Sequence, residues 1–541
     1  MPFDAFAPPP HLARRRLRAA RRHLRALDAA LGRARTYAHP AGRIVRIETH
    51  ISVVYLAGRY AYKIMKPVDF GFVDFTRLAA RRRCCEAEIR LNRPLAASIY
   101  VDVQRLTRGA RRYRLGDARG RPAPVVDYAV RMRRFEQRNL FSTLLANGEL
   151  TADDIDAATD RLVDGYRRAP RVRATQPFGT AALLRETVLA PLATLERDPH
   201  TARAARDAAL RAWCERAFER LGPHLDARRA SGFVRACHGD LHLDNIVRHG
   251  RRALMFDCIE FNDTLRWIDV ASDFAFLYMD LLAHDRADLA IRLLARYLDA
   301  SGDYGCLPVL RLFVAYRALV RALVAVLKGR PANGPDAAYL DLAIAQTRPV
   351  RPALLLCHGF SGSGKSVASR ALAALTGGIR LSSDTERKRR RPFEPPDLRA
   401  LPSDAYTPDA LAAHYERLAA LAGSVLEAGY TTIVDATFLR RANRERFAAL
   451  ARRLRVPMLI LDFQASPTCL TQRVRARSHG PRDASDAGEA VLAAQRANAE
   501  PLDAAERAST VAFDTDVPLD AFGRRDYWAA LFARISPGGE R

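Results

Sequence analysis

Lysine is nearly absent from this 541-residue chain. Only Lys63, Lys66, Lys328, Lys365 and Lys388 occur among 87 basic residues, so the other 82 are arginine. Long apolar runs are missing too: no stretch approaches the roughly 18 to 20 apolar residues that span a bilayer. That excludes an obvious membrane-spanning helix. The eight cysteines form no CxxC pair, and Cys84 and Cys85 are adjacent, which excludes zinc-type spacing and a ready disulfide framework. The N-terminus is proline-rich and then arginine-rich (Arg14, Arg15, Arg16, Arg18, Arg21, Arg22) and has no apolar core of a secretory signal. A cytoplasmic protein with reduced thiols is the expectation.

What is present is charge and length. The formal net charge is +27, which fits a polyanionic partner such as nucleic acid or a phosphorylated substrate. The arginines are nevertheless spread along the whole chain, without aromatic residues interleaved into a patch, so a compositional habit explains them equally well. The length calls for two domains. Leu12, Leu17, Leu24, Leu27 and Leu31 predict a basic helix over residues 11–36. Strands are expected at Ile44 to Ile47, Ser52 to Leu56 and Arg59 to Met65, with Gly58 turning between the last two. A helix from Thr76 to Ala97 and a strand from Val125 to Phe135 follow. Helices dominate after residue 150. The proline segment Thr347 to Pro352 marks the expected domain boundary at residue 348/349. Beyond it strand and helix alternate: Ala353 to Cys357, then a helix from Lys365; Thr431 to Val434; Pro457 to Phe463, then a helix from Pro467. That alternation predicts a parallel, doubly wound sheet.

Two phosphate-handling signatures sit on this frame. The first is His238-Gly239-Asp240-Leu241-His242-Leu243-Asp244-Asn245, with Phe256-Asp257 at the end of an apolar strand. An aspartate five residues before an asparagine suits phosphoryl transfer. Asp240 would orient the attacking hydroxyl and accept its proton, and Asn245 and Asp257 would offer oxygen to Mg²⁺. This resembles the protein-kinase-like phosphotransferases of the aminoglycoside, choline and fructosamine kinase type. The resemblance implies a lysine on an early strand and a glutamate on the next helix. Lys63 in Tyr62-Lys63-Ile64 and Glu88, with Glu86 as runner-up, fill those places. It also implies that Thr49-His50-Ile51-Ser52 turns over the phosphates, without the usual glycines, and that Val130-Arg131-Met132 lies at the adenine-binding hinge. His238 is read as a brace of the loop. Glu260, Asp269 and Asp273 are read as caps or buried hydrogen-bond partners, with a substrate or magnesium contact as the alternative.

The second signature is Gly359-Phe360-Ser361-Gly362-Ser363-Gly364-Lys365-Ser366, between a strand and a helix as a P-loop requires. Its glycines let backbone N–H groups wrap phosphates, Lys365 reaches the β- and γ-phosphates and Ser366 binds Mg²⁺. Ser382-Ser383-Asp384-Thr385-Glu386-Arg387 ends the next strand. Its Asp-x-x-Arg spacing resembles the acceptor site of phage polynucleotide 5′-kinases and related P-loop kinases, in which the aspartate activates the acceptor hydroxyl and the arginine holds substrate. Asp435 ends a further strand, where it would organise magnesium. Arg473 and Arg477 share a helix face, as lid arginines or as a solvated face.

Glu48 to Ser52, Tyr62 to Phe72, Phe256 to Asn262 and the segments Arg482 to Ala487 and Glu500 to Leu502 extend the resemblance. From about residue 36 to 503 the chain is similar to a bacterial fusion of an aminoglycoside-phosphotransferase-like domain with an ATP-binding domain. The implied fold is an α+β bilobal kinase-like domain at 1–348 followed by an α/β P-loop kinase domain at 349–541. The implied activity is ATP- and Mg²⁺-dependent transfer to a small-molecule hydroxyl. A polynucleotide 5′-hydroxyl kinase or repair factor, a toxin-like P-loop kinase and an ATP-binding regulator are the alternatives. The lysine count agrees: two of only five fall where a compact ammonium would meet phosphates.

Overall fold

The computed structural model describes residues 22–49, 51–69, 74–109, 112–116, 123–198, 209–327, 337–397, 399, 401–478 and 488–535. The chain divides into two compact units, Met1–Leu184 with Pro223–Asp280, and Arg185–Gly222 with Leu281–Arg541.

The first unit carries a six-stranded antiparallel sheet in the order β1-β2-β3-β6-β4-β5. Its strands are β1 (Val45–Glu48), β2 (Ser52–Ala57), β3 (Tyr60–Met65), β4 (Tyr100–Arg108), β5 (Tyr113–Leu115) and β6 (Val125–Arg133). Gly58 makes the β2–β3 turn at φ +56°, and a Cβ there would sit 2.5 Å from the Pro40 carbonyl oxygen, so only glycine fits. Helix α1 (Leu78–Ala96) follows β3 and buries Arg81, Cys85, Glu88, Asn92 and Ala96, a stripe at three- and four-residue spacing. Cys85, Ile89 and Ala96 pack there with Ala61, Val130 and Met132 of the sheet. The foreseen strands and helix appear within about two residues, whereas β4 and β5 were not foreseen. Of the N-terminal helix, residues 22–31 are described and helical. Leu27 and Leu31 are fully buried, while Leu12 and Leu17 lie outside the described residues.

Helix α2 (Ala152–Arg168) opens on a reciprocal capping box of Thr151 and Asp154. Further along come β7 (Val234–Ala236), β8 (Ile246–His249), β9 (Arg252–Met255) and β10 (Trp267–Asp269). They pair as two small antiparallel ladders, β8 with β9 and β10 with β7. Helix α3 (Val270–Ala283) runs on from β10.

In the second unit α4 (Ala287–Ser301), α5 (Leu307–Leu327) and α6 (Ala337–Ala345) precede a five-stranded parallel sheet ordered β12-β13-β11-β14-β15. Its strands are β11 (Leu354–His358), β12 (Ile379–Ser382), β13 (Thr432–Asp435), β14 (Met458–Gln464) and β15 (Thr510–Asp514). Between them lie α7 (Lys365–Thr376), α8 (Ser383–Lys388), α9 (Pro408–Glu427), α10 (Arg441–Leu454), α11 (Pro467–Ser478) and α12 (Glu489–Asn498). The foreseen strand–helix alternation is there, and β15 is the strand that the sequence pattern did not announce. Ser382 and Cys357 both register with Asp435. The carboxyl ends of β11, β12 and β13 therefore share one edge, where parallel sheets place their binding crevices. The turn after α4 belongs to this unit: Tyr304 Oη donates to Glu386 Oε1 at 3.3 Å, Arg389 Nη2 to the Asp299 carbonyl at 2.6 Å, and Phe393 N to the Ser301 carbonyl at 2.6 Å. Among the described residues no helix is long and apolar enough to cross a membrane.

Arg444 of α10 is 1% exposed and explains the segment Glu500 to Leu502, for which the sequence suggested no role. Its guanidinium binds both carboxylate oxygens of Glu506 at 2.7 and 3.0 Å and the carbonyls of Phe438, Glu500 and Pro501. Arg444→Ala removes all five bonds and is expected to cost about 3 kcal/mol. A fall in the denaturant midpoint measures it, and a change below about 0.5 kcal/mol would contradict this account.

Candidate functional sites

In the first unit a buried ammonium meets the carboxylates of Glu88 and Asp257. Lys63 points inward from β3 and is 6% exposed. Its Nζ lies 3.0 Å from Glu88 Oε1 and 2.5 Å from Asp257 Oδ1. Glu86, two residues from Glu88, instead pairs with Arg82 on the exposed face of α1. Burial alone would strip Lys63 of its proton, but the charges of Asp257, Glu88 and Glu260 hold it protonated well above the usual lysine range. Glu88 is fully buried, which pushes its carboxyl up against the pull of Lys63, and among the described residues its second oxygen, Oε2, has no hydrogen-bond partner.

Asp257 adopts φ +65°, a conformation aspartate tolerates better than most residues. Tyr100 holds it there by accepting from Asp257 N at 3.0 Å, and Asn92 Oδ1 accepts from Cys258 N at 2.9 Å. Neither Tyr100 nor Asn92 was foreseen. They are 157 and 166 residues from the groups they hold, beyond any local spacing rule.

The loop carrying Asp240 is fastened at both ends by one helix. Asp273 and Asp280 lie seven residues apart on α3, two turns along the same face. Asp273 accepts from Gly239 N at 2.7 Å and His238 N at 3.2 Å, and Asp280 accepts from Leu243 N at 2.9 Å. His238 Nδ1 accepts from Asp240 N at 3.3 Å, so its proton sits on Nε2, which donates to the Phe256 carbonyl at 2.8 Å. His238 thus ties the Asp240 loop to the strand that presents Asp257. Asn245 Nδ2 donates to Asp240 Oδ2 at 3.1 Å. Asp269 forms a buried bidentate pair with Arg228 at 2.7 and 2.8 Å, and Glu260 accepts from Cys84 Sγ at 3.1 Å. Val130 to Met132 lie inside β6, paired with β3 and β4. His50 and Phe70 to Val73 fall outside the described residues.

In the second unit the loop 359–366 wraps one end of a cleft with about 600 Å³ of empty volume. Gly359, Gly362 and Gly364 take φ of +138°, +86° and +78°, and a Cβ at Gly359 or Gly362 would come within 2.6 or 2.8 Å of a backbone oxygen. Lys365 Nζ donates to the Phe360 carbonyl at 2.6 Å and to Ser363 Oγ at 3.3 Å. Ser366, Asp435, Asp384 and Arg387 line the same cleft, with Tyr415 and Thr437. Burial would raise the Asp435 carboxyl, but Arg380 and Lys365 hold it below the usual range, and Ser366 hydrogen-bonds to it. Arg380 also pairs directly with Asp435 and donates to Ser369 Oγ at 2.9 Å. Arg387 Nη2 lies 3.4 Å from Asp384 Oδ1. Arg473 Nη2 donates to the Thr515 carbonyl at 2.6 Å and Nη1 reaches the Gly362 carbonyl at 3.5 Å, which keeps it beside the loop. The side chain of Arg477 and the segment Arg482 to Ala487 lie outside the described residues.

Arg380, Gln495 and His414 are among the side chains here that the sequence did not mark. Gln495 of α12 accepts from Ser361 N and donates to Ser361 Oγ, both at 2.9 Å. His414 of α9 is pushed down to about 3 by burial, with Arg387 and Arg417 adding repulsion. Folding therefore favours the neutral ring. The stability it contributes is complete above the ordinary histidine value of 6.5 and is lost as pH falls from there towards 3, by about 1.4 kcal/mol per unit. The Tm of wild type should fall from about pH 7 to about pH 5 more steeply than that of His414→Gln. Equal slopes would contradict it.

Residues 85–313 match the model described as the phosphotransferase enzyme family, and residues 354–502 match one described as an AAA domain. Uncharacterized proteins of Mycobacterium tuberculosis and Mycobacterium bovis are 31% identical over 468 residues, 83% of this chain and 90% of theirs. The chain belongs to their family. It is a fusion of a phosphotransferase-family domain with a C-terminal P-loop kinase domain. Among solved structures, a choline/ethanolamine kinase family protein from Mesorhizobium loti aligns over 57% of this chain and 88% of its own, with 14% identity and a TM-score of 0.34. A gluconokinase from Sinorhizobium meliloti aligns over 35% and 95%, with 22% identity and a TM-score of 0.24. The two family-model matches place both domains of this fusion in phosphotransferase and kinase families.

Proposed function

We propose that the chain is an ATP-dependent phosphotransferase with two nucleotide sites, each passing the γ-phosphate of ATP to a hydroxyl acceptor. The observation that supports this best is that each unit gathers a buried lysine, oxygen donors and a separate carboxylate. In the first, Lys63, steered by Glu88, is directed at the phosphates and Asp240 takes the acceptor proton. In the second, Lys365 swings from the Phe360 carbonyl to the phosphates, Asp384 takes the proton and Arg387 holds the acceptor. In both, the acceptor oxygen bonds to the γ-phosphorus as the bond to ADP breaks. Asn245 with Asp257, and Ser366 with Asp435, are hard oxygen sets that suit Mg²⁺, which neutralises phosphate charge when bound. Seven of the eight free cysteines are buried, which fits a cytoplasmic, reducing environment.

Transfer of labelled γ-phosphate to a panel of metabolites and oligonucleotides tests the reading. Asp240→Ala and Lys365→Ala should each abolish a different product. A chain in which neither change affects any transfer would rule the reading out. A second reading, a 5′-hydroxyl nucleic-acid kinase, draws on the net charge of +27. It requires salt-dependent binding of a 5′-hydroxyl oligonucleotide, and no binding at low salt would dismiss it.

A further inference from the structure

Ser383 lines the second cleft beside Asp384 and has no part in the scheme above. Its Oγ lies 2.9 Å from His414 Nε2 and receives a longer contact from Arg387 Nη2 at 3.5 Å. The other ring nitrogen, Nδ1, faces Arg417 Nη2 at 3.1 Å. A guanidinium can only donate, so Nδ1 must accept and the ring proton must sit on Nε2. The imidazole therefore donates to Ser383 Oγ. With the Arg387 guanidinium also facing this oxygen at 3.5 Å, donors approach the serine lone pairs and the hydroxyl proton is what is left to give. The two bonds Ser383 makes among the described side chains are both received. The downward shift of His414 agrees, because it keeps the ring from gaining a second proton and changing partners.

We propose that Ser383 is a fixed hydrogen-bond donor that recognises a second oxygen on the acceptor, next to the hydroxyl presented to Asp384. Consecutive helical residues diverge by about 100°, so Ser383 and Asp384 address different atoms. The acceptor class is therefore a small polyol or sugar derivative with neighbouring oxygens, not an isolated alcohol. A mono-alcohol leaves the serine proton without a partner in the cleft. Arg417, His414 and Ser383 act as a relay that sets direction, and no proton moves along it. The inference rests on reading the P-loop cleft as a hydroxyl-kinase site.

The test uses the full chain carrying Asp240→Ala, which silences the first site, with Mg·ATP and either glycerol or propan-1-ol as the acceptor probe. Glycerol turnover should exceed propan-1-ol turnover by about tenfold or more. Ser383→Ala should erase that preference by raising KM for glycerol while leaving KM for ATP unchanged, and Ser383→Thr should restore it. Equal turnover of the two alcohols, zero included, overturns the acceptor class, as does an equal effect of Ser383→Ala on both. In parallel, ¹⁵N spectra of histidine-labelled protein, assigned with His414→Gln, should show His414 as the Nε2–H tautomer. An Nδ1–H or doubly protonated ring overturns the donor assignment. If Lys365→Ala in the same background changes no turnover at all, the kinase reading of this cleft fails, while the histidine spectrum still decides the orientation of Ser383.

Discussion

Lys365→Ala is expected to weaken Mg·ATP binding at the P-loop about 100-fold while leaving the fold in place. The side chain is 7% exposed, and its ammonium spans the loop it belongs to, bonding the Phe360 carbonyl and Ser363 Oγ. Those are neutral partners, which phosphate oxygens replace with charge-assisted bonds worth about 1.5 to 3 kcal/mol each. Losing them costs about 3 kcal/mol, which is the 100-fold stated. Alanine is a good helix former at the first residue of α7, so the loss should be local. The sample should be the full chain, because the parallel sheet shares its compact unit with residues from Leu281 onward. A calorimetric titration should resolve two nucleotide sites in wild type and one in the variant. Two sites of unchanged affinity in Lys365→Ala would remove the P-loop assignment.

The sequence made local features legible and left cross-chain features hidden. Strands β11, β13 and β14 are apolar runs next to helices with clear starts, so pattern alone finds them. Strand β15 is a short edge strand whose buried and exposed residues alternate, and nothing around it announces a turn. Strand β4 interleaves Asp102, Gln104 and Arg105 with apolar residues and is only partly buried, so its hydrophobic signal is weak. The same division holds in the sites. Glu88 could be preferred to Glu86 from its spacing to the downstream leucines, because two residues are about 200° of helix and put the two carboxylates on opposite faces. Arg380 pairs with Asp435 across 55 residues, His414 meets Ser383 across 31, and Gln495 meets Ser361 across 134. No spacing rule spans those gaps, and an arginine among 82 has no local mark to set it apart. Asp435 was legible as a strand-end carboxylate, but its buried guanidinium partner was not.

Asp240→Ala should lower transfer from the first site by about 10³-fold without preventing ATP from binding there. The expectation follows from where the carboxylate sits. Its loop is held at both ends by Asp273 and Asp280 of α3, and His238 links it to the strand end that presents Asp257. These bonds go to backbone atoms, so removing the Asp240 side chain leaves the loop where it is. Asp240 itself makes side-chain contacts with Asn245 and His242 at 3.1 and 3.4 Å, and its carboxylate is 37% exposed, so an acceptor hydroxyl can reach it. A positioned base of this kind contributes about 10² to 10⁴-fold. Lys63, Glu88 and Asp257 are untouched by the change, so the ATP affinity of the first site should stay within about twofold, a few tenths of a kcal/mol. Lys63→Ala makes the opposite demand: ATP binding at the first site should be lost while the P-loop site is spared. Measuring kcat and nucleotide Kd for both variants separates base from phosphate ligand. If Asp240→Ala lowers affinity as much as Lys63→Ala does, Asp240 is a structural residue and the proton acceptor must be sought elsewhere. If it abolishes turnover at both sites, the two sites are coupled rather than independent.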